Sequence, residues 1–376
     1  MRKQMRQLWT AGAVCTLLLA GCGSLEEGRQ ESQEETVENS LAQTGEAMEE
    51  ENQMMTWTDS ITELDEDFSA VSYEGDYGFD AFLRQGGASS DSQVVQFLTE
   101  TMLSGTEGLS FQTEAFGCST ISAQAQSGGY LFGRNFDWNR CEALIVGSRP
   151  TQGYASISTV NVGFIRQGAG MLTGLALNSD QILTMAALYA PLDGMNEAGL
   201  AVSVNMIEDN AQIEQDTDRP DLTTTTAVRL MLNQAADVEE AVALLGQYDL
   251  HGSMGMMIHF AIADADGRSV AVEYIDNEMI VTETPVVTNF YLAEGEKQGI
   301  GTSQSHERYD TLMNLLEEQE TLTTEGVRDA LDSVSKHNFG EFESTEWSIV
   351  YDQQAKEARY YHREDYTKSW TFQIAE

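Results

Sequence analysis

A chain of 376 residues with 41% hydrophobic side chains has room for one large domain or two ordinary ones around a substantial core. Its formal charge of −41, from 20 basic and 61 acidic residues, repels nucleic acid and anionic lipid headgroups. Four cysteines, two of them within the first 22 residues, leave no disulfide framework downstream.

Arg2, Lys3 and Arg6 precede a mostly apolar run from 11 to 20, which closes on Leu19-Ala20-Gly21-Cys22. The pattern reads as a secretory signal over 1–21, and the tetrad resembles a bacterial lipoprotein processing box. The run is too short to span a bilayer as a stable helix. The expectation is cleavage before Cys22, lipidation of that cysteine, and an extracytoplasmic protein held to a bacterial membrane by its acyl chains. Loss of the signal leaves 17 basic against 61 acidic residues. Residues 22–55 are rich in glutamate, with few branched or aromatic side chains, and read as an acidic disordered tether. Apolar residues then return. Val94, Val95, Leu98 and Met102 fall at roughly helical spacing behind Ser89-Ser90-Asp91, so 56–117 reads as a folded helical segment.

After Cys118 the pattern changes to short strands between glycine turns, at 119–124, 130–133, 143–146 and 155–164. Helices are predicted over Thr224–Gln234 and Val238–Leu245, the second with Val238, Ala241, Val242 and Leu245 on one stripe. Strands resume at Ile258–Ala263 and 269–274 around the turn Asp264-Ala265-Asp266-Gly267. A helix over 307–318 and a closing hairpin of 347–351 with 358–362 complete the chain. Strands grouped with strands, and helices with helices, argue for α+β layers rather than a parallel βαβ array.

Elimination narrows the chemistry. There is no His-Glu-x-x-His, no Cys-x-x-Cys and no Gly-x-x-x-x-Gly-Lys, and the five histidines are scattered, so neither a metal nor a phosphate cradle is expected. Gly301-Thr302-Ser303-Gln304-Ser305 lacks the second glycine of a nucleophile elbow. A bridge between Cys118 and Cys141 is chemically open outside the cell, but Cys141 reads better as a small packed residue.

Cys118 draws attention through its company. Gly117-Cys118-Ser119-Thr120 leads through Gly128-Gly129 into Arg134-Asn135-Phe136-Asp137. This arrangement resembles the choloylglycine hydrolase family and its relatives acid ceramidase and N-acylethanolamine acid amidase. The resemblance continues through Asn196-Glu197-Ala198-Gly199-Leu200 to Asn205, one residue shorter than the bile-salt-hydrolase form. It extends to Val287-Thr288-Asn289 and to Ser305-His306-Glu307-Arg308. It implies a four-layer αββα sandwich of the N-terminal-nucleophile hydrolase type. Cleavage between Gly117 and Cys118 would give an α/β-subunit heterodimer, with 118–376 as the hydrolase domain.

The implied catalytic set is Cys118, Arg134, Asp137, Asn205, Asn289 and Arg308, with no metal or organic cofactor. A free α-amine has a pKa near 8 and can take the thiol proton, whereas an amide nitrogen cannot. In the implied roles Asp137 orients that amine, Arg134 favours the thiolate, Asn289 with Asn205 donates to the oxyanion, and Arg308 holds the group in shape. Arg134→Ala and Asp137→Ala are expected to lower turnover with little loss of fold.

The implied substrate is a linear N-acyl amide with an apolar acyl group, for which Phe136, Trp138, Met206, Phe290 and Tyr291 could supply lining. Bile-salt hydrolysis and penicillin V acylase-like activity are the alternatives within this chemistry. A non-catalytic ligand-binding lipoprotein is the alternative outside it.

Overall fold

Because β-branched and aromatic side chains fill both faces of most of its strands, this chain must cover each sheet on both sides. The computed structural model describes residues 51–54, 60–102, 117–168, 180–337 and 343–374, all within one compact unit, Glu49–Glu376. The expected signal peptide, Cys22 and the tether up to residue 50 lie outside the described residues.

In chain order the strands are β1 (Glu51–Met54), β2 (Thr62–Asp65), β3 (Phe68–Glu74), β4 (Gly117–Gln124), β5 (Tyr130–Trp138) and β6 (Ala143–Arg149). There follow β7 (Ser156–Asn161), β8 (Asp193–Asn196), β9 (Ala201–Met206), β10 (Asp221–Thr223), β11 (Asp249–His251) and β12 (Ile258–Ala263). The last are β13 (Ser269–Ile275), β14 (Glu278–Glu283), β15 (Val286–Val287), β16 (Ser344–Asp352), β17 (Glu357–His362) and β18 (Asp365–Gln373). They form a seven-stranded sheet in the order β1-β18-β17-β16-β5-β4-β15 and a nine-stranded sheet in the order β14-β13-β12-β9-β8-β7-β6-β3-β2.

The two sheets stack through one apolar core in which Phe68, Tyr360 and Trp370 make ring contacts. A second cluster, including Ile121, Leu131, Leu312, Val327 and Leu331, packs helices Ser303–Glu318 and Thr324–Ser333 on the outside of the seven-stranded sheet. Helices Asp180–Leu188, Thr224–Gln234 and Val238–Leu245 cover the nine-stranded sheet. This is the αββα sandwich that the sequence resemblance implies.

Three expectations are corrected. The segment 56–117 carries strands as well as helices: β2 and β3 extend the nine-stranded sheet, β3 lying parallel to β6 with Phe68, Ala70 and Val71 buried. The last residues of the expected tether, Glu51–Met54, form an edge strand parallel to β18. The strand expected over 155–164 stops at Asn161. Asn161 Oδ1 accepts the backbone N–H of Gly163 at 2.8 Å, and that local turn starts helix Val162–Gly168.

His362 on β17 is buried, stacks on Phe68 at 4.7 Å, and leaves its Nε2 without a hydrogen-bond partner. Burial, aided by the charge of Arg363, pushes its pKa down to about 4. Between pH 6.5 and 4 the unfolded chain therefore binds the proton that the folded chain refuses, and stability falls with pH through that window. The loss amounts to about 3 kcal/mol at pH 4. In His362→Phe, which keeps the stacking, the melting temperature is expected to drop less between pH 6.5 and 4 than in the wild type. Parallel curves would show that other groups carry the acid sensitivity.

Candidate active site

The β4–β5 hairpin builds the centre of the site. Its turn needs two residues with positive φ, supplied by Gly128 (φ 97°) and Gly129 (φ 79°). The resulting register sets Gly117 opposite Asp137, Cys118 opposite Phe136 and Thr120 opposite Arg134. The sixteen- and nineteen-residue sequence separations thus collapse to neighbouring positions.

Cys118 is fully buried and its thiol is free. Arg134 Nη2 lies 3.7 Å from its Sγ. Burial pushes the Cys118 pKa up to about 11, overcoming the attraction of Arg134, while Asp137 adds to the rise and Arg308 opposes it. Cys141 is also free and packs against the core, its thiol pushed up by burial and by Glu346.

Arg308 and Asn289 hold the backbone of the cysteine. Helix Ser303–Glu318 starts at Thr302, whose side chain caps the N–H of Ser305, and this start aims Arg308 at β4. Arg308 Nη1 donates to Cys118 O and to Ser119 Oγ, both at 2.6 Å, and Nη2 donates to Asn289 Oδ1 at 2.8 Å. Asn289 Oδ1 also accepts the Cys118 N–H at 2.7 Å, and Asn289 Nδ2 donates to Met206 O at 2.7 Å. The amide orientation is fixed by these partners, and one hydrogen of Nδ2 is left for another acceptor.

Asp137 completes the cluster. Its Oδ1 accepts from Thr345 Oγ1 at 2.7 Å. Its Oδ2 is buried and accepts no hydrogen bond, with Arg308 Nη1 at 3.6 Å. A Cβ at position 117 would fall 2.9 Å from that oxygen and 2.5 Å from Lys336 Nζ, so a larger residue there would have to displace both side-chain ends. Lys336 is held over Gly117 by Glu343, at 2.7 Å.

Five of the six expected residues therefore converge on the Gly117–Cys118 bond. Asn205 stands one step back. Its Nδ2 donates to Val287 O at 3.1 Å and Thr288 O at 3.3 Å, and its Oδ1 accepts from Ser203 Oγ at 2.7 Å. In place of the expected oxyanion donor, the structure has a strut beneath the Asn289 segment.

Sequence reasoning missed Asp193. Arg134 Nε lies 2.9 Å from Asp193 Oδ2, with both side chains fully buried. Arg134 Nη1 also donates to Leu192 O, Val204 O and Ser203 Oγ. Asp193 accepts from Trp347 Nε1 at 3.1 Å and from Tyr351 OH at 3.2 Å, yet burial still raises its pKa. The expectation that Arg134 could be removed with little loss of fold is corrected by this pair. The only sequence signal was a charge within the strand-like run before Asn196.

An apolar cavity lies one residue beyond the cluster, and none of the five converging residues lines it. Its wall includes Val95, Leu98, Phe164, Tyr189 and Leu192. Leu192 gives its carbonyl to Arg134 Nη1 at 3.2 Å, and Phe164 meets Trp138 edge-on at 5.1 Å. Asp91 and Met254 are shared with a larger polar cavity that contains Glu214, Asp216 and Asp221. Phe136 and Phe290 pack elsewhere, on Trp347 and His306. Among the described residues no helix is long and apolar enough to cross a membrane, and no group of His, Cys, Asp or Glu forms a candidate metal site.

The fold is that of the N-terminal-nucleophile hydrolases. Residues 181–365 match the family model of acyl-coenzyme A:6-aminopenicillanic acid acyl-transferase. Among solved structures, the chain is similar to a mutant of conjugated bile acid hydrolase from Clostridium perfringens, with 14% identity, 68% of this chain and 92% of the other covered, and a TM-score of 0.51. A second variant of that hydrolase gives 13%, the same coverage and 0.50. Penicillin V acylase from Agrobacterium tumefaciens gives 19%, 65% and 83% coverage, and 0.47. No curated protein matches significantly. The chain thus shares the fold of conjugated bile acid hydrolase, and just under half of it matches the acyl-transferase family model.

Proposed function

We propose that this protein cleaves itself between Gly117 and Cys118 and then hydrolyses linear N-acyl amides with an apolar acyl group, using Cys118 as nucleophile. The observation that carries this reading is the unpartnered, buried Asp137 Oδ2 beside Gly117, next to a Cys118 nitrogen already held by Asn289. An α-amine at that position would gain Asp137 as a second acceptor and lose nothing.

In the maturation step Sγ attacks the Gly117 carbonyl carbon. A C–S bond forms, the C–N bond breaks, and the departing Cys118 amine takes the thiol proton. Water then hydrolyses the thioester, leaving a Gly117 carboxylate and a free α-amine.

In turnover that amine accepts the thiol proton, and Sγ attacks the substrate carbonyl. The unused hydrogen of Asn289 Nδ2 is the candidate oxyanion donor, worth about 3 kcal/mol if well placed. The amine next protonates the leaving nitrogen, and water releases the acyl group. Arg308 keeps the cysteine backbone and Asn289 in register throughout. No metal or cofactor enters the scheme.

The apolar cavity, linked to Arg134 through Leu192, suits the acyl part. The strongly acidic composition of the chain, −41 in formal charge, disfavours an anionic amine part such as taurine or glycine. Neutral fatty N-acyl amides therefore rank above conjugated bile acids and phenoxyacetyl β-lactams. Lipidation at Cys22 would set this activity on the outer face of a bacterial membrane.

Intact-mass measurement of purified protein tests the scheme. Expected are two fragments, one beginning at Cys118 and one running from an acylated Cys22 to Gly117. A fully active single chain would overturn the mechanism, and an inactive single chain would favour a ligand-binding module. An amino-terminal fragment without added acyl mass would remove the anchor. kcat/KM across matched acyl groups is expected to be higher for neutral amides than for taurine conjugates, and the reverse order would restore the bile-salt reading.

A further inference from the structure

Asn205, His259 and Glu273 lie side by side across β9, β12 and β13, since His259 pairs with Asn205 on one side and with Glu273 on the other. Directly opposed residues of antiparallel strands share a face, so the three side chains form one polar row within an apolar sheet. All three are fully buried.

The row faces a single stretch of chain. Asn205 Nδ2 donates to Val287 O and Thr288 O, and His259 Nε2 lies 2.9 Å from Thr288 O. Glu273 accepts the backbone N–H of Leu292 at 2.9 Å and that of Ala293 at 2.6 Å. Between these anchor points sits Asn289, whose Oδ1 holds the Cys118 nitrogen at 2.7 Å.

The proton count is constrained. A carbonyl oxygen only accepts, so His259 Nε2 carries a hydrogen. Nδ1 lies 3.1 Å from Glu273 Oε1, and both carboxylate oxygens already receive backbone N–H groups. The arrangement is satisfied by an imidazolium that donates from both ring nitrogens to the carbonyl and to an ionised carboxylate. Burial works against the Glu273 charge, but the His259 hydrogen bond and charge and the two N–H donors outweigh it and hold its pKa below the usual value.

We infer that His259 and Glu273 are positioning residues that, with Asn205, clamp the 287–293 segment and so set the place of Asn289 against Cys118. Neither touches the sulfur. Their effect reaches the reaction through Asn289, where a displacement of about 1 Å is enough to cost about 10²-fold in rate. The inference rests on the reading of Cys118 as nucleophile and of Asn289 as its partner.

The test compares the double variant His259→Leu/Glu273→Gln with a glutamine variant, His259→Gln/Glu273→Gln. The double variant removes the clamp on Thr288 together with the charge that a lone His259→Leu would strand. The glutamine variant keeps an N–H donor for Thr288 O. With rates normalised to the folded fraction from thermal melts, the double variant is expected to lose about 10²-fold in both Gly117–Cys118 cleavage and kcat, with KM unchanged. The glutamine variant is expected to regain most of that loss.

Wild-type rates in the double variant, a loss confined to KM, or a glutamine variant as slow as the double variant would each overturn the inference. A second arm is independent of chemistry. In a Cys118→Ala background, amide hydrogen exchange over 286–293 is expected to quicken in the double variant more than in the glutamine variant, and equal protection would also overturn it. A wild-type protein that neither cleaves nor hydrolyses amides sinks the proposed function instead, while the exchange arm still reads the clamp.

Discussion

Cys118→Ala is expected to remain a single chain and to show no amide turnover, because in the proposed scheme both steps take their nucleophile from the same sulfur. The fold is expected to survive. Cys118 has neighbours on every side, but the backbone contacts that fix it, to Asn289 and Arg308, do not involve the side chain. The melting temperature should stay within a few degrees of the wild type, since losing a single buried heavy atom costs about 1 kcal/mol. Cys118→Ser keeps the shape with a poorer nucleophile and should cleave slowly. With the thiol at about 11 in the uncut chain, the thiolate fraction rises tenfold per pH unit below that value. Cleavage of freshly made wild-type precursor should therefore accelerate by nearly tenfold for each unit between pH 7 and 9, followed by gel densitometry. A flat profile would mean that Asp137 or another base removes the proton before attack. A cleaved and active alanine variant would exclude Cys118 altogether.

How much of this was legible in the sequence follows from what each kind of signal can carry. The hairpin from Cys118 to Asp137 was readable because two glycines with positive φ fix the turn, and the turn fixes the register. Helix Val238–Leu245 was readable from its apolar stripe, and the structure starts it and helix Thr224–Gln234 on the capping side chains of Asp237 and Thr223. β2 and β3 were not, because they lie ahead of the hairpin series and β3 meets its partner β6 in parallel across the long stretch between them. The change from strand to helix after Asn161 depended on one side chain bonding its own turn, which periodicity does not register. Five site residues were found because the family arrangement lists them together. Their supports were missed because buried charges announce themselves only by being out of place. His259 and Glu273 are single polar residues in apolar strands on either side of the turn at 264–267, and that symmetry is the signal by which a hairpin pair could have been recognised. Asp193 pairs across the sandwich with Arg134, and no local pattern predicts an inter-sheet contact.

That inter-sheet pair has the largest consequence for stability. Arg134→Ala and Asp193→Asn are each expected to destabilise the folded state by about 3–5 kcal/mol, because either change leaves the surviving partner buried and uncompensated. Arg134 Nε and Asp193 Oδ2 stand 2.9 Å apart with no solvent access on either side chain. Trp347, Tyr351 and the carbonyls of Leu192 and Val204 cannot replace the missing charge. Loss of activity in either single variant is therefore ambiguous, since a weakened fold and a missing cation at the sulfur both lower turnover. The double variant Arg134→Met/Asp193→Leu separates them. Apolar replacement of both members of a buried pair is often neutral or stabilising, so its denaturation midpoint should return toward the wild type. Its cleavage and turnover should stay about 10²-fold or more below the wild type, because the guanidinium 3.7 Å from Cys118 Sγ is gone and only Arg308 then opposes burial and Asp137 at the thiol. Single variants as stable as the wild type would show that the pair is not electrostatically isolated. A stable double variant with wild-type kinetics would mean that Arg134 serves the sandwich alone, and that the thiolate at Cys118 owes nothing to its charge.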